Sequence, residues 1–62
     1  MTFKELLKEQ DCTASRLSRA IGVSRTAVGL WVNGETSPRI DQVSKIAEAL
    51  HVSVDAVVAC FS

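Results

Sequence analysis

The chain has no tyrosine, one proline, three glycines, two cysteines and one histidine in 62 residues, and its formal net charge is zero. Each scarcity closes a class of protein. Cys12 and Cys60 are too few and too far apart for a disulfide framework or a four-ligand zinc site. His51, with no second histidine and no carboxylate pair at ligand spacing, gives no basis for a metal centre. No stretch approaches the roughly 18 consecutive apolar residues of a membrane span, and the charged opening Met1-Thr2-Phe3-Lys4-Glu5 has no apolar core of an export signal. A cytoplasmic protein away from membranes is expected, its thiols reduced; the alternative use of Cys60 is to cross-link two subunits on oxidation. Catalysis finds no foothold either. There is no local cysteine-histidine pairing and no glycine-rich phosphate loop, and Glu5 and Glu9 share only a solvent face, so no enzyme, cofactor or small-molecule substrate is expected.

What remains is a hydrophobic share of 47%, enough for one compact core, read as a single domain over residues 1–62. A chain this short buries only about 60% of its unfolded surface, so a partner chain would help it. The apolar spacing is helical throughout. Thr2 and Glu5 form a capping-box signature for a helix over Phe3 to Glu9 with Phe3, Leu6 and Leu7 inward. Thr13 caps a second helix, Ala14 to Ile21, with Leu17, Ala20 and Ile21 on its apolar face. Gly22 supplies a left-handed stop, Val23 an apolar plug and Ser24 the next cap. The third helix then runs from Arg25 until Gly34 stops it, with Val28 and Trp31 inward and Arg25, Thr26, Gly29, Leu30 and Asn33 outward.

Gly34 to Pro38 is a loop by composition. Beyond it, Ser37 is the expected cap with Pro38 at the first helical position. Val43, Ile46, Ala47 and Leu50 mark a fourth helix over about Ile40 to Leu50. Ser53 caps the last helix, which has Asp55 in its first turn and Val54, Val57, Val58 and Phe61 at helical spacing. The fold expected is all-α, a compact five-helix bundle.

Within it, the second helix, the turn at Gly22 and the third helix make a helix-turn-helix pattern. Charge distribution singles out the same region. From Cys12 to Gly34 the charged residues are Arg16, Arg19 and Arg25, and every acid lies outside. Three arginines can also simply solvate an exposed face.

Leu17, Gly22-Val23-Ser24, Val28, Trp31, Asn33-Gly34 and Pro38, in this order, resemble the phage repressor and Cro type of helix-turn-helix domain, often called XRE-like. The resemblance spans about Phe3 to Val58. It implies that Arg25, Thr26 and Leu30 face base edges in the major groove of double-stranded DNA. It further implies that Ser24 and Asn33, with the loop residues Thr36, Ser37 and Arg39, lie near the sugar-phosphate backbone, Glu35 pointing away; Arg16 and Arg19, on the polar side of the second helix, are expected to hold phosphates by their charge. The side chains fit in part. Arg25 can donate two hydrogen bonds to guanine, Thr26 offers a hydroxyl and a methyl, and Leu30 can contact only a thymine methyl. Ala14 stands where the family commonly has a glutamine on the DNA backbone, Ser18 where it has an alanine packed against the next helix and is still small enough to pack there, Gly29 where it has serine, a mid-helix glycine that a close backbone approach to DNA would explain, and Val32 where it has glutamate.

The last helix has no charge after Asp55 and is apolar nearly all round. Its surplus surface, Val54, Val57, Val58 and Phe61, is expected to contact a second copy in a two-fold dimer. The resulting expectation is a homodimeric repressor on a pseudo-palindromic operator. The alternative is a protein-interaction module on the same scaffold, with little affinity for DNA.

Overall fold

The computed structural model describes residues 1–61. It contains α1 (Phe3–Glu9), α2 (Ala14–Ile21), α3 (Arg25–Val32), α4 (Ile40–Leu50) and α5 (Val54–Ala59), and no strand among the described residues. The all-α expectation holds, with helix limits close to those read from the sequence.

Each short helix is fixed by its ends, since few of its residues lie beyond the reach of unpaired terminal groups. At α1 the Thr2 hydroxyl accepts the Glu5 N–H at 3.1 Å while the Glu5 carboxylate accepts the Thr2 N–H at 2.8 Å. The Thr2 N–H bond, with the Thr2 hydroxyl beside the carboxylate, holds the Glu5 carboxyl below its usual range. A lowered folded pKa means that the unfolded chain binds the proton more tightly, so this stabilisation is present above the ordinary value of 4.5 and is lost as pH falls through the folded pKa. In Glu5→Gln the acid limb of the stability profile should therefore be shallower than in the parent, as read from urea midpoints across the range below pH ~4.5.

One turn design recurs three times. Asp11, Gly22 and His51 each adopt positive φ, at 52°, 73° and 57°. The next residue then donates its N–H back to the helix, Cys12 to Leu7 O at 2.9 Å, Val23 to Ser18 O at 3.1 Å and Val52 to Ala47 O at 3.0 Å. Cys12, Val23 and Val52 are each half-buried, and the residue after them is a hydroxyl cap, Thr13, Ser24 or Ser53. This is the left-handed helix stop followed at once by a new N-cap. Only the middle copy uses glycine, which is why only Gly22 stood out in the sequence.

The core comprises Phe3, Leu6, Leu7, Leu17, Ile21, Val28, Trp31, Val43, Ile46, Ala47, Leu50 and Val57. Phe3 of α1 meets the Trp31 ring edge-on at 6.4 Å and the Phe61 ring at 5.1 Å, tying both chain ends to α3.

Three expectations need correction. Ala20 is exposed, and Ser18 is buried in its place on α2; the Ser18 hydroxyl donates to Ser15 O at 2.8 Å, which makes a small polar residue tolerable there. Ser37 does not cap α4 and Pro38 is not helical. Arg39 is the cap residue, and its N–H donates to Gln42 Oε1 at 3.1 Å with no hydroxyl acceptor needed. Val57, expected at a subunit contact, is fully buried in its own core and can offer no surface to a second copy.

Candidate nucleic-acid interface

The α2-turn-α3 unit is locked by few atoms. At φ 73° Gly22 lets its own N–H and that of Val23 donate to the same oxygen, Ser18 O, at 2.9 and 3.1 Å. A Cβ on Gly22 would meet nothing within 4 Å, so the demand for glycine comes from backbone conformation alone. Ser24 then starts α3 by accepting the Ala27 N–H on its hydroxyl at 3.1 Å. Val28 and Trp31 are the buried residues of α3, and Leu17, Ser18 and Ile21 those of α2.

Holding that side inward turns the opposite side out. Ser24, Arg25, Thr26 and Asn33 are exposed, whereas Leu30, Val32 and Gly29 are half-buried. Leu30 is therefore less open than an outward leucine would be, with only part of its side chain offered to a partner. On α2 both Arg16 and Arg19 are exposed, and with Ala20 they line an open depression.

The loop after α3 is tied to the helix rather than hanging from it. Gly34 takes φ 75°, and the Glu35 N–H donates to Leu30 O at 3.0 Å with the Thr36 N–H at 3.5 Å from the same oxygen. Thr36, Ser37 and Arg39 are exposed next to this anchor, and so is the acid Glu35. Gly34, Glu35, Thr36 and Ser37 share an open depression with Cys60 and Phe61.

A family model described as helix-turn-helix matches residues 3–57. The chain belongs to the XRE-type helix-turn-helix family. Neither the curated proteins nor the solved structures contain a significant match to it. This helix-turn-helix chain is accordingly a DNA-binding transcription regulator, and α3 of the helix-turn-helix unit is the element whose outward face carries Arg25, Thr26 and Leu30.

The residues expected at a subunit contact separate into two groups. Val54 and Val58 are exposed at 46% and 47%, one helical turn apart on α5. Phe61 lies past the end of α5 and is half-buried, packed on Phe3, so it serves its own chain first. Cys60 is a poor cross-linker: its sulfhydryl donates to Ala56 O at 3.3 Å, and burial raises its pKa, disfavouring the thiolate that disulfide exchange requires. Ile40, 89% exposed at the first position of α4, is an apolar surface residue that the periodicity treated only as a helix boundary.

Among the described residues no group of His, Cys, Asp and Glu is placed to hold a metal ion, and no helix is long and apolar enough to cross a membrane.

Proposed function

We propose that the chain binds double-stranded DNA sequence-specifically as a homodimer, reads a pseudo-palindromic operator through the major groove, and represses by occupying a promoter. The observation that carries this reading is the exposed start of α3, where Arg25 and Thr26 are both open to solvent, within a stretch from Cys12 to Gly34 whose charged residues are Arg16, Arg19 and Arg25 alone. Arg25, Thr26 and Leu30 read bases. Arg16, Arg19, Ser24, Asn33, Thr36, Ser37 and Arg39 position the backbone, with the loop residues held in register by the anchor at Leu30 O. A two-fold dimer would set the two copies of α3 one DNA turn apart, about 34–36 Å. The chain is read as one domain working in the cytoplasm, with no cofactor and no catalytic step.

Salt titration of duplex binding tests this directly. Each phosphate neutralised steepens the slope of log affinity against log salt by about 0.9, so several contacts should give a steep decline. A flat response would sink the DNA reading and favour a protein-interaction module. That second reading has its own support in the zero net charge, in Ala14 where a polar backbone contact is common, and in the half-buried apolar Leu30 and Val32.

For the dimer, Val54→Asp is the discriminating variant. Val54 is exposed and is the first residue of α5, where a negative charge is compatible with the helix dipole. The monomer fold should survive while self-association and operator affinity fall together in sedimentation and binding assays. A Val54→Asp chain that stays dimeric would move the interface elsewhere.

A further inference from the structure

The main packing partners of the five helices form an open series, α1 on α3, α3 on α2, α2 on α4 and α4 on α5. One side chain joins the two ends of that series. The Phe61 ring, just past α5, lies 5.1 Å from the Phe3 ring of α1, and Phe3 in turn meets Trp31 of α3 edge-on at 6.4 Å. The chain has no other phenylalanine, tryptophan or tyrosine. Two backbone bonds shape the turn that brings Phe61 there, its own N–H to Val58 O at 2.9 Å and the Cys60 N–H to Val57 O at 3.1 Å.

Phe61 also borders the loop after α3, since with Cys60 it lines the depression shared with Gly34, Glu35, Thr36 and Ser37. That loop is fixed at both ends. Gly34 and Glu35 donate to Trp31 O and Leu30 O of α3 at 3.1 and 3.0 Å, and Arg39 donates to Gln42 Oε1 of α4 at 3.1 Å. Ser37, between those anchors, has no hydrogen-bond partner among the described residues. Its place depends on how far apart α3 and α4 are held. These two helices are not main packing partners of each other; they are joined through α2 on one side and through α5, Phe61 and Phe3 on the other.

Resting on the DNA-binding reading, we propose that Phe61 is a positioning residue for the loop from Thr36 to Arg39. It touches no DNA itself, being half-buried against Phe3. By closing the helix series it sets the span of the loop, and so the reach of Arg39 to a phosphate. The start of α3 is anchored separately, by the Ser24 cap and the burial of Val28 and Trp31, so base reading by Arg25 does not depend on Phe61.

The test uses the full chain and a duplex carrying its preferred site, obtained by selection from random DNA, at a temperature below the melting midpoint of each variant. Phe61→Ala should flatten the slope of log affinity against log salt by about 0.9, the share of one phosphate contact, which is a loss of roughly eightfold at about 0.1 M salt that disappears toward 1 M. Base preference should be unchanged, and so should self-association in sedimentation. In an Arg39→Ala background the same substitution should change the slope no further, because both remove one contact. Phe61→Val carries the same comparison at smaller amplitude should the alanine chain melt too low. A loss that is equal at every salt concentration, or that adds in full to that of Arg39→Ala, would overturn the positioning role while leaving DNA binding intact. A fall in self-association would return Phe61 to the subunit contact and overturn it equally. Absence of salt-sensitive duplex binding by the parent chain would overturn the DNA reading beneath it.

Discussion

Arg25→Ala should cost about 1–3 kcal/mol of affinity at one base pair of the operator, a loss of roughly 5- to 150-fold, and should relax base preference at that position alone. The size follows from geometry. Arg25 is the first residue of α3 and is exposed, so its guanidinium can reach a groove floor without leaving a buried partner behind. For the same reason the substitution should leave the thermal midpoint nearly unchanged, since surface replacements away from packed features fall within about 0.5 kcal/mol. Arg16→Ala and Arg19→Ala provide the contrast. Those side chains lie on α2, and their loss should weaken binding evenly across sequences and reduce the salt slope by about one each. A position-specific loss at Arg25 with even losses at Arg16 and Arg19 would separate base reading from backbone positioning. An unchanged sequence profile in Arg25→Ala would take Arg25 out of the reading set.

The limits of α2 and α3 and most of their inward residues were legible in the sequence, because N-cap chemistry and helical period are local properties. Thr2, Thr13, Ser24 and Ser53 each accept an N–H three residues on, and a hydroxyl ahead of an apolar-periodic run says so in the sequence. Val28 and Trp31, three apart, pointed inward for the same reason. What escaped depends on neighbours or on backbone shape. Asp11 and His51 reach positive φ without the glycine that would announce it; the 6→1 bonds to Leu7 O and Ala47 O close each helix all the same. On α2, residue type put Ala20 on the apolar face, but α2 packs on both α3 and α4, and Ser18, small enough for close packing, is the residue buried there with Leu17 and Ile21. Val57 was grouped with Val54 and Val58 as surplus surface because spacing alone does not say which valine of an apolar helix meets α4. For the interface, exposure of Arg25, Thr26 and Asn33 followed from burial of the opposite face, whereas the half-burial of Leu30 required side chains in place.

Trp31→Ala should be the most damaging single change to the fold. Truncating a buried tryptophan costs about 3–5 kcal/mol, and a chain of this length has a total stability of about 3–9 kcal/mol at 0.05–0.15 kcal/mol per residue. The two ranges overlap, so much of the variant population should be unfolded at room temperature. Position makes the loss worse than volume alone. α3 has only Val28 and Trp31 buried, and Trp31 is also the ring that Phe3 of α1 packs against edge-on. Without it α3 keeps Val28 as its one buried anchor, and only the half-buried Ala27 and Val32 help to fix the rotation that turns Arg25 and Thr26 outward. Operator affinity should therefore collapse along with the cooperative thermal transition. Trp31→Phe retains a ring opposite Phe3 and should stay folded with a lower midpoint, which separates loss of packing from loss of the residue itself. Saturating operator duplex should recover part of the lost stability, because a ligand that binds only the folded state shifts the equilibrium toward it. A Trp31→Ala chain that melts cooperatively within a few degrees of the parent would show that α3 is oriented by some other contact.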